Sequence, residues 1–173
     1  MPVIHVSPLS RLHETVEASG ATHVVTLINA ATEVQRPASI PAERHLFIGV
    51  SDIVDPLDGH ILPADAHVEQ LLAFGRAWDQ RTPIVIHCWA GISRSTAAAY
   101  ITLCALRPER DEFETARLLR ETAPSATPNA RLVRVADDIL GRKGRMADAI
   151  AGIGRGADAF EGTPFHLFLD PQR

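Results

Sequence analysis

The stretch that most constrains the fold spans residues 84–106. Residues 84–86, Ile-Val-Ile, form a short apolar, β-branched run that ends in His87 and Cys88. Small and apolar residues at helical spacing follow over residues 93–106. A short apolar run is typical of a buried strand, and the later spacing is typical of a helix. The order therefore predicts a strand, a tight loop and a helix, with a thiol where the loop begins.

A loop that leads into a helix N-terminus is a natural site for anions. The first turn of a helix leaves backbone N–H groups without partners, and the helix dipole adds partial positive charge there. Such a position binds phosphate and makes a nearby thiol easier to ionise. With Cys88 at one end of the loop and Arg94 at the other, the stretch predicts phosphoryl transfer through a cysteine.

Residues 87–95, His-Cys-x5-Arg-Ser, resemble the signature of the cysteine-dependent protein tyrosine and dual-specificity phosphatases. Gly91 and Ser93 also stand where that family places Gly and, often, Ser. The chain resembles a small single-domain member of bacterial type, and the resemblance covers roughly residues 20–140. It implies a phosphatase that needs no cofactor and no metal.

The resemblance assigns a role to each residue of the signature. Cys88 would be the nucleophile, Arg94 would hold two phosphate oxygens with its planar fork, and Ser95 would face the sulfur and help it leave. His87 would orient the loop, and Asn129, after Pro128, would brace it. Substrate phosphate would lie on the backbone amides of a continuous set of residues: Trp89, Ala90, Gly91, Ile92, Ser93 and Arg94.

The family takes its general acid from an aspartate about thirty residues before the cysteine, and general acid catalysis typically contributes 10²–10⁴-fold in rate. Three aspartates are candidates: Asp52, Asp55 and Asp58. Asp52 directly follows a predicted strand, as the family aspartate does, whereas Asp55 fits the usual sequence distance better. Asp52 is favoured, and Asp55 is the first alternative.

Strand and helix patterns alternate along the chain. Apolar runs predict an edge strand over residues 3–6 and further strands over 22–28 and 45–50. Helices are predicted to begin at Ser7 and Pro8, and again at Thr127 and Pro128. The alternation predicts an α/β three-layer sandwich, with a mostly parallel central sheet of four or five strands flanked by helices.

Two regions are distinguished along the chain. Residues 1–140 are predicted to form the phosphatase domain, and residues 141–173 a C-terminal extension packed on it. The extension has one short helical pattern, several glycines and an alternating apolar tail at residues 165–169. A lid, a dimer contact or a wall beside the substrate is the alternative role for it.

Charge and composition exclude several classes of function. The formal net charge of −4 argues against a broad nucleic-acid surface. No apolar run reaches the roughly 18 residues of a membrane span, and the first residues lack a signal-peptide pattern. Two cysteines exclude a disulfide scaffold, and the scattered histidines show no zinc spacing. A cytoplasmic protein of unknown oligomeric state is expected.

The leading functional hypothesis is hydrolysis of phosphotyrosine, with phosphoserine and phosphothreonine as further substrates. A phosphorylated protein or a small phosphomonoester would be the partner. A phosphoinositide or inositol-phosphate phosphatase is the first alternative, although residues 89–93 contain none of the lysines that such enzymes often have in this loop. A phosphoprotein-binding pseudophosphatase is the alternative from another class.

Overall fold

The computed structural model describes residues 2–170 and forms a five-stranded sheet with helices on both faces. The strands are β1 (Val3–Pro8), β2 (His23–Ile28), β3 (His45–Gly49), β4 (Ile84–Cys88) and β5 (Phe165–Phe168). The α-helices are α1 (Leu12–Ser19), α2 (Asp65–Ala77), α3 (Arg94–Leu106), α4 (Glu112–Thr122), α5 (Ala130–Ile139) and α6 (Arg145–Ile153). The predicted α/β sandwich with a mostly parallel sheet is confirmed.

The strand order is β3-β2-β4-β1-β5. The neighbours β3–β2, β2–β4 and β4–β1 are parallel, and β5 runs antiparallel to β1. The prediction that β1 is an edge strand was wrong, because the C-terminal tail adds β5 outside it. The central position of β4 explains why all five of its residues are buried.

Side chains of β4 alternate between two apolar layers. Ile84 and Ile86 pack into the larger cluster, which includes residues of α2 to α6. Val85 packs into a smaller cluster with Leu12 and Val16 of α1. Because successive strand residues point to opposite faces, this alternation places α1 on one face and the other helices on the opposite face. Three layers result.

Two predicted helix starts were wrong, and tertiary contacts explain both. Pro8 still pairs with Cys88 in the parallel β1–β4 ladder, so α1 begins only at Leu12. The helix after residue 126 begins at Ala130, and Asn129 is its N-cap because its side-chain oxygen accepts the N–H of Leu132. Asn129 therefore has a capping role that the sequence pattern gave to Thr127.

The C-terminal part of the chain packs against the sheet and helices. Helix α6 contacts α4 and α5, and its Met146 side chain is completely buried. Asp137 fixes its start, because the two carboxylate oxygens accept the N–H groups of Gly144 and Met146, each at 2.7 Å. The division of the chain into a domain and an extension at residue 140 stays a prediction. No helix within residues 2–170 combines the length and apolar character needed to cross a membrane.

Candidate active site

The loop between β4 and α3 is held by its carbonyl groups. Four of them accept backbone N–H groups from segments outside the loop: Trp89 from Leu9 (3.1 Å), Ala90 from Gly162 (2.7 Å), Ile92 from Thr127 (2.9 Å) and Ser93 from Asn129 (3.2 Å). In a trans peptide, the N–H of the next residue points opposite to the carbonyl, and no cis bond occurs in the described chain. The amides of residues 90, 91, 93 and 94 therefore point away from these outer partners and into the loop, an arrangement that suits the binding of an anion.

Cys88 lies at the bottom of this loop. Its Sγ is 3.3 Å from the backbone nitrogen of Gly91, which donates to it, and 3.1 Å from the Oγ of Ser95. The residue is 2% exposed, so the sulfur is almost completely shielded by the surrounding protein. A backbone N–H and a hydroxyl therefore both contact the sulfur, directly before the start of α3.

Gly91 is required by the shape of the loop. Its φ of +70° lies in the left-handed region, and an added Cβ would lie 2.7 Å from the backbone nitrogen of Pro8. No side chain fits this close approach to β1. The glycine of the signature therefore allows the loop to close over the end of the neighbouring strand.

The Arg94 guanidinium is fixed on one side. Its Nη1 donates to the side-chain oxygen of Asn29 at 2.8 Å and to the carbonyl of Val50 at 3.0 Å. These acceptors follow β2 and β3, whose carboxyl ends meet beside the loop. The Nε is buried and has no hydrogen-bond partner within residues 2–170. One edge of the fork is thus anchored, and its Nε donor remains for a bound oxyanion.

Asp52 lies against the loop, three residues after the end of β3. Its Oδ1 accepts from the Oγ of Ser93 at 2.7 Å and from the side-chain nitrogen of Asn129 at 2.9 Å. Ser93 precedes α3 as N-cap, but its hydroxyl donates to Asp52 instead of bonding the helix. Two donors therefore fix the Asp52 carboxyl through its Oδ1.

The other two aspartates lie elsewhere. Asp52, Ile92 and Ser93 line a cleft of about 540 Å³ beside the loop, and Asp55 and Asp58 are not among its lining residues. All three aspartates are exposed. The structure therefore brings Asp52 together with Cys88 and Arg94 around one loop, and it leaves Asp55 and Asp58 further along the exposed connection.

His87 supports the loop from within the sheet. Its Nδ1 lies 3.3 Å from the carbonyl of Cys88, and its Nε2 lies 2.7 Å from the Thr26 hydroxyl, which also meets Nε2 of His45 at 2.8 Å. Burial lowers the pKa of His87 to about 4, so the ring is neutral near pH 7. A neutral ring with Nδ1–H donating to Cys88 then accepts from Thr26, and Thr26 accepts from His45.

Contributors to this site that the sequence analysis missed include Asn29, Thr26 and Gly162. Asn29 holds Arg94, Thr26 holds His87, and Gly162 holds the loop carbonyl of Ala90. Asn29 had a usable signal, because a polar residue directly after a buried parallel strand faces the edge where ligands bind. Gly162 had none, because its contact depends on how the C-terminal segment crosses the molecule. Within the described part of the chain, no group of three or more His, Cys, Asp or Glu side chains is close enough to hold a metal.

Comparison with known proteins identifies the fold through structure. Neither a protein-family model nor a curated protein sequence matches the chain. Solved structures do match. DUSP15 is 15% identical with a TM-score of 0.65, over 88% of this chain and 92% of that one. The Cydia pomonella PTP-2 phosphatase is 18% identical with a TM-score of 0.61, over 78% of this chain and 84% of that one.

A third match is PTPMT1 in complex with PI(5)P, 12% identical with a TM-score of 0.61, over 87% of this chain and 93% of that one. At such low identity these likenesses concern the fold. The chain has the α/β fold of the dual-specificity phosphatases, with its His-Cys-x5-Arg-Ser loop between β4 and α3.

Proposed function

We propose that the chain is a phosphatase that hydrolyses phosphotyrosine esters through a phosphocysteine intermediate, with phosphoserine and phosphothreonine esters as further substrates. The arrangement around Cys88 is the observation that supports this most. A sulfur with two donors lies inside a loop of inward-pointing amides, and a guanidinium anchored at Nη1 stands at the loop's other end. Such an arrangement suits a phosphoryl dianion beside a nucleophile.

In the first step the Cys88 thiolate attacks phosphorus. The S–P bond forms and the bond from phosphorus to the ester oxygen breaks, while Asp52 gives that oxygen its proton. Arg94 and the loop amides bind the three equatorial oxygens, on which the transition-state charge is spread. The protein thus supplies position and charge, and a proton where the leaving group needs one.

In the second step water attacks the phosphocysteine. Asp52, now a carboxylate, accepts a proton from that water, and the S–P bond breaks as the P–O bond forms. Ser95 lies 3.1 Å from the sulfur and can donate to it as it leaves with the electron pair. The products are inorganic phosphate and the original thiolate.

A phosphoinositide phosphatase is the second candidate, and the matched PTPMT1 structure with PI(5)P is the observation in its favour. The loop of this chain has no lysine to bind additional phosphates. Arg155, which lines the neighbouring cleft, is paired with Asp158 at 2.6 Å. The lack of a lysine in residues 89–93 favours a substrate with a single phosphate.

The proposal is tested with a phosphotyrosine peptide and a phosphoinositide in separate assays. We expect the peptide to be hydrolysed, activity to be abolished in Cys88→Ser, and activity to be retained in Cys104→Ala, which removes the other thiol. Phosphate release from neither substrate, or equal release by Cys88→Ser, would refute a cysteine-dependent phosphatase. Preferential release from the phosphoinositide would favour the second candidate.

The acid is tested with matched asparagine variants. Asp52→Asn should lower kcat on a phosphotyrosine peptide by about 10²- to 10⁴-fold and should affect p-nitrophenyl phosphate much less, because its leaving group needs no proton. Asp55→Asn and Asp58→Asn serve as controls on the same connection. A larger loss in either control than in Asp52→Asn would reassign the acid.

A further inference from the structure

Residues 156–162, here called the C-terminal arch, cross the outside of the phosphate-binding loop. At one end Gly156 donates its N–H to the Thr127 hydroxyl at 3.0 Å. At the other end the N–H of Gly162 donates to Ala90 at 2.7 Å. The side chain of Glu161 accepts from the Ser10 hydroxyl at 2.9 Å. The arch is therefore attached to the loop and to its surroundings at both ends.

Both end positions require glycine because of close backbone contacts. A Cβ on Gly156 would lie 2.7 Å from the carbonyl of Ser125, and a Cβ on Gly162 would lie 2.8 Å from the carbonyl of Gly91. At both glycines, the backbone of the arch lies directly against the backbone of another segment, which fixes the positions of its two ends. The four residues after Gly156, together with Glu161, are thus held beside the site.

Phe160 stands on this arch with 91% of its surface exposed. Burial in the protein does not account for an aromatic side chain at this position. The cleft of about 540 Å³ that Asp52 and Ser93 line is also lined by Phe160. Phe160 and Asp52 therefore face the same space.

In the proposed reaction the leaving group lies beside Asp52, which lines that space. Asp52 delivers its proton to the ester oxygen, so the organic group attached to that oxygen lies next to Asp52. The arch contributes Ala157, Asp158, Ala159 and Phe160 to the walls of the cleft. Arg155, which directly precedes the arch, also lines the cleft and pairs with Asp158 at 2.6 Å. Phe160 is the aromatic side chain among these walls, and a flat aromatic group of a substrate can pack against it.

We propose that the C-terminal arch is the specificity wall of the site and that Phe160 packs against the aromatic ring of a phosphotyrosine substrate. This inference rests on the proposed phosphatase function and adds to it a residue that selects aryl over alkyl phosphomonoesters. Aromatic pairs contribute beyond their buried area, so the ring contact is expected to change kcat/KM about 3- to 10-fold.

The test compares two peptides of the same sequence, one with phosphotyrosine and one with phosphothreonine. Phe160→Ala should lower kcat/KM about 3- to 10-fold for the phosphotyrosine peptide. The ratio of kcat/KM between the two peptides should therefore shift toward the phosphothreonine peptide. Phe160→Tyr should retain the wild-type preference. Phe113→Ala is the matched control, since Phe113 is another exposed phenylalanine, on α4. An unchanged ratio in Phe160→Ala, or equal losses on both peptides, would overturn the inference.

A binding measurement separates this inference from the function on which it rests. In a Cys88→Ser background, calorimetry should give a phosphotyrosine Kd that Phe160→Ala weakens about 3- to 10-fold, and an inorganic phosphate Kd that it does not weaken. Turnover by the wild type with no effect of Phe160→Ala on the phosphotyrosine Kd would refute the role of the arch alone. Neither turnover nor phosphotyrosine binding would refute both.

Discussion

Asn29→Ala is the substitution that tests how Arg94, the proposed phosphate-binding arginine, is positioned. Asn29 is exposed at the end of β2 and accepts from Nη1 of Arg94, which also donates to Val50. A hydrogen bond to a charged group contributes about 1.5–3 kcal/mol. Because Val50 still accepts from Nη1, we expect the lower part of this range, about 1.5–2 kcal/mol, which corresponds to roughly a 10- to 30-fold loss in kcat/KM.

The assay follows initial rates on a phosphotyrosine peptide together with inhibition by vanadate, a phosphate-sized oxyanion. Asn29→Ala should weaken vanadate inhibition and lower kcat/KM by similar factors, because both depend on the orientation of Arg94. Gln35→Ala, an exposed amide further along the same connection, should match the wild type. The loss of stability in urea unfolding should not exceed what this hydrogen bond contributes, about 1.5–2 kcal/mol.

The chemistry of the thiol gives a second readout for the same variant. Iodoacetate is an anion and should be drawn to Cys88 by Arg94, whereas iodoacetamide is neutral. Asn29→Ala should slow alkylation by iodoacetate more than alkylation by iodoacetamide. Wild-type kcat/KM, wild-type vanadate inhibition and an unchanged ratio of the two alkylation rates would refute the positioning of Arg94 through Asn29.

Three further predictions concern reactivity and stability. Burial raises the pKa of Cys104 to about 12, so native protein at pH 8 should be alkylated at one thiol, Cys88, as counted by mass spectrometry; two modified thiols before unfolding would contradict this. The pKa of His87 is lowered to about 4 by burial against about 6.5 when unfolded, so its contribution to stability is complete above pH 6.5 and is lost as the pH falls toward 4. Between pH 7 and pH 5 the protonation of His87 in the unfolded chain should lower the free energy of unfolding by about 2 kcal/mol. His87→Asn should lack this loss in urea unfolding, and an equal loss in the variant would contradict the assignment. Arg142→Ala removes the nearer of two arginines that pair with buried Glu112, at 2.9 Å, and leaves the more exposed Arg145 at 3.2 Å. The free energy of unfolding should fall by about 3 kcal/mol; a loss below about 1 kcal/mol would show that the pair behaves as a surface pair.

The part of the site that the sequence predicts is the part built from neighbouring residues. His87, Cys88, Gly91 and Ser95 lie within one strand, one loop and one helix turn, so local patterns determine how they stand to one another. The loop's internal geometry, with Gly91 at a positive φ and Ser95 beside the sulfur, follows from that short stretch.

The support for the loop comes from distant segments, and the sequence predicts little of it. Asn129 was expected to brace the loop, and the structure adds that it caps α5 and bonds Asp52. The carbonyl of Val50 has no side-chain signal at all, yet it anchors Arg94. Such contacts depend on which strand ends meet, which only the sheet order determines.

The C-terminal region shows the same limit. Its alternating tail indicated an extended segment, and the structure makes residues Phe165–Phe168 the outer strand β5. That pairing moved β1 away from the edge of the sheet. The positions of Gly156 and Gly162 against distant carbonyls could not be predicted, because a glycine in a tail has many explanations until its neighbours are known.

The central claim is that Cys88 takes the phosphoryl group from the substrate. Direct trapping of the phosphocysteine intermediate tests this claim. Asp52→Asn is mixed with p-nitrophenyl phosphate and quenched in acid within the first turnover, because this variant can form the intermediate from an activated ester but lacks the base for its hydrolysis. Peptide mass spectrometry should find one phosphoryl group on the peptide that contains Cys88. A phosphoryl group on another residue would contradict the account. So would turnover by the wild type if the peptide that contains Cys88 carried no phosphoryl group at any quench time.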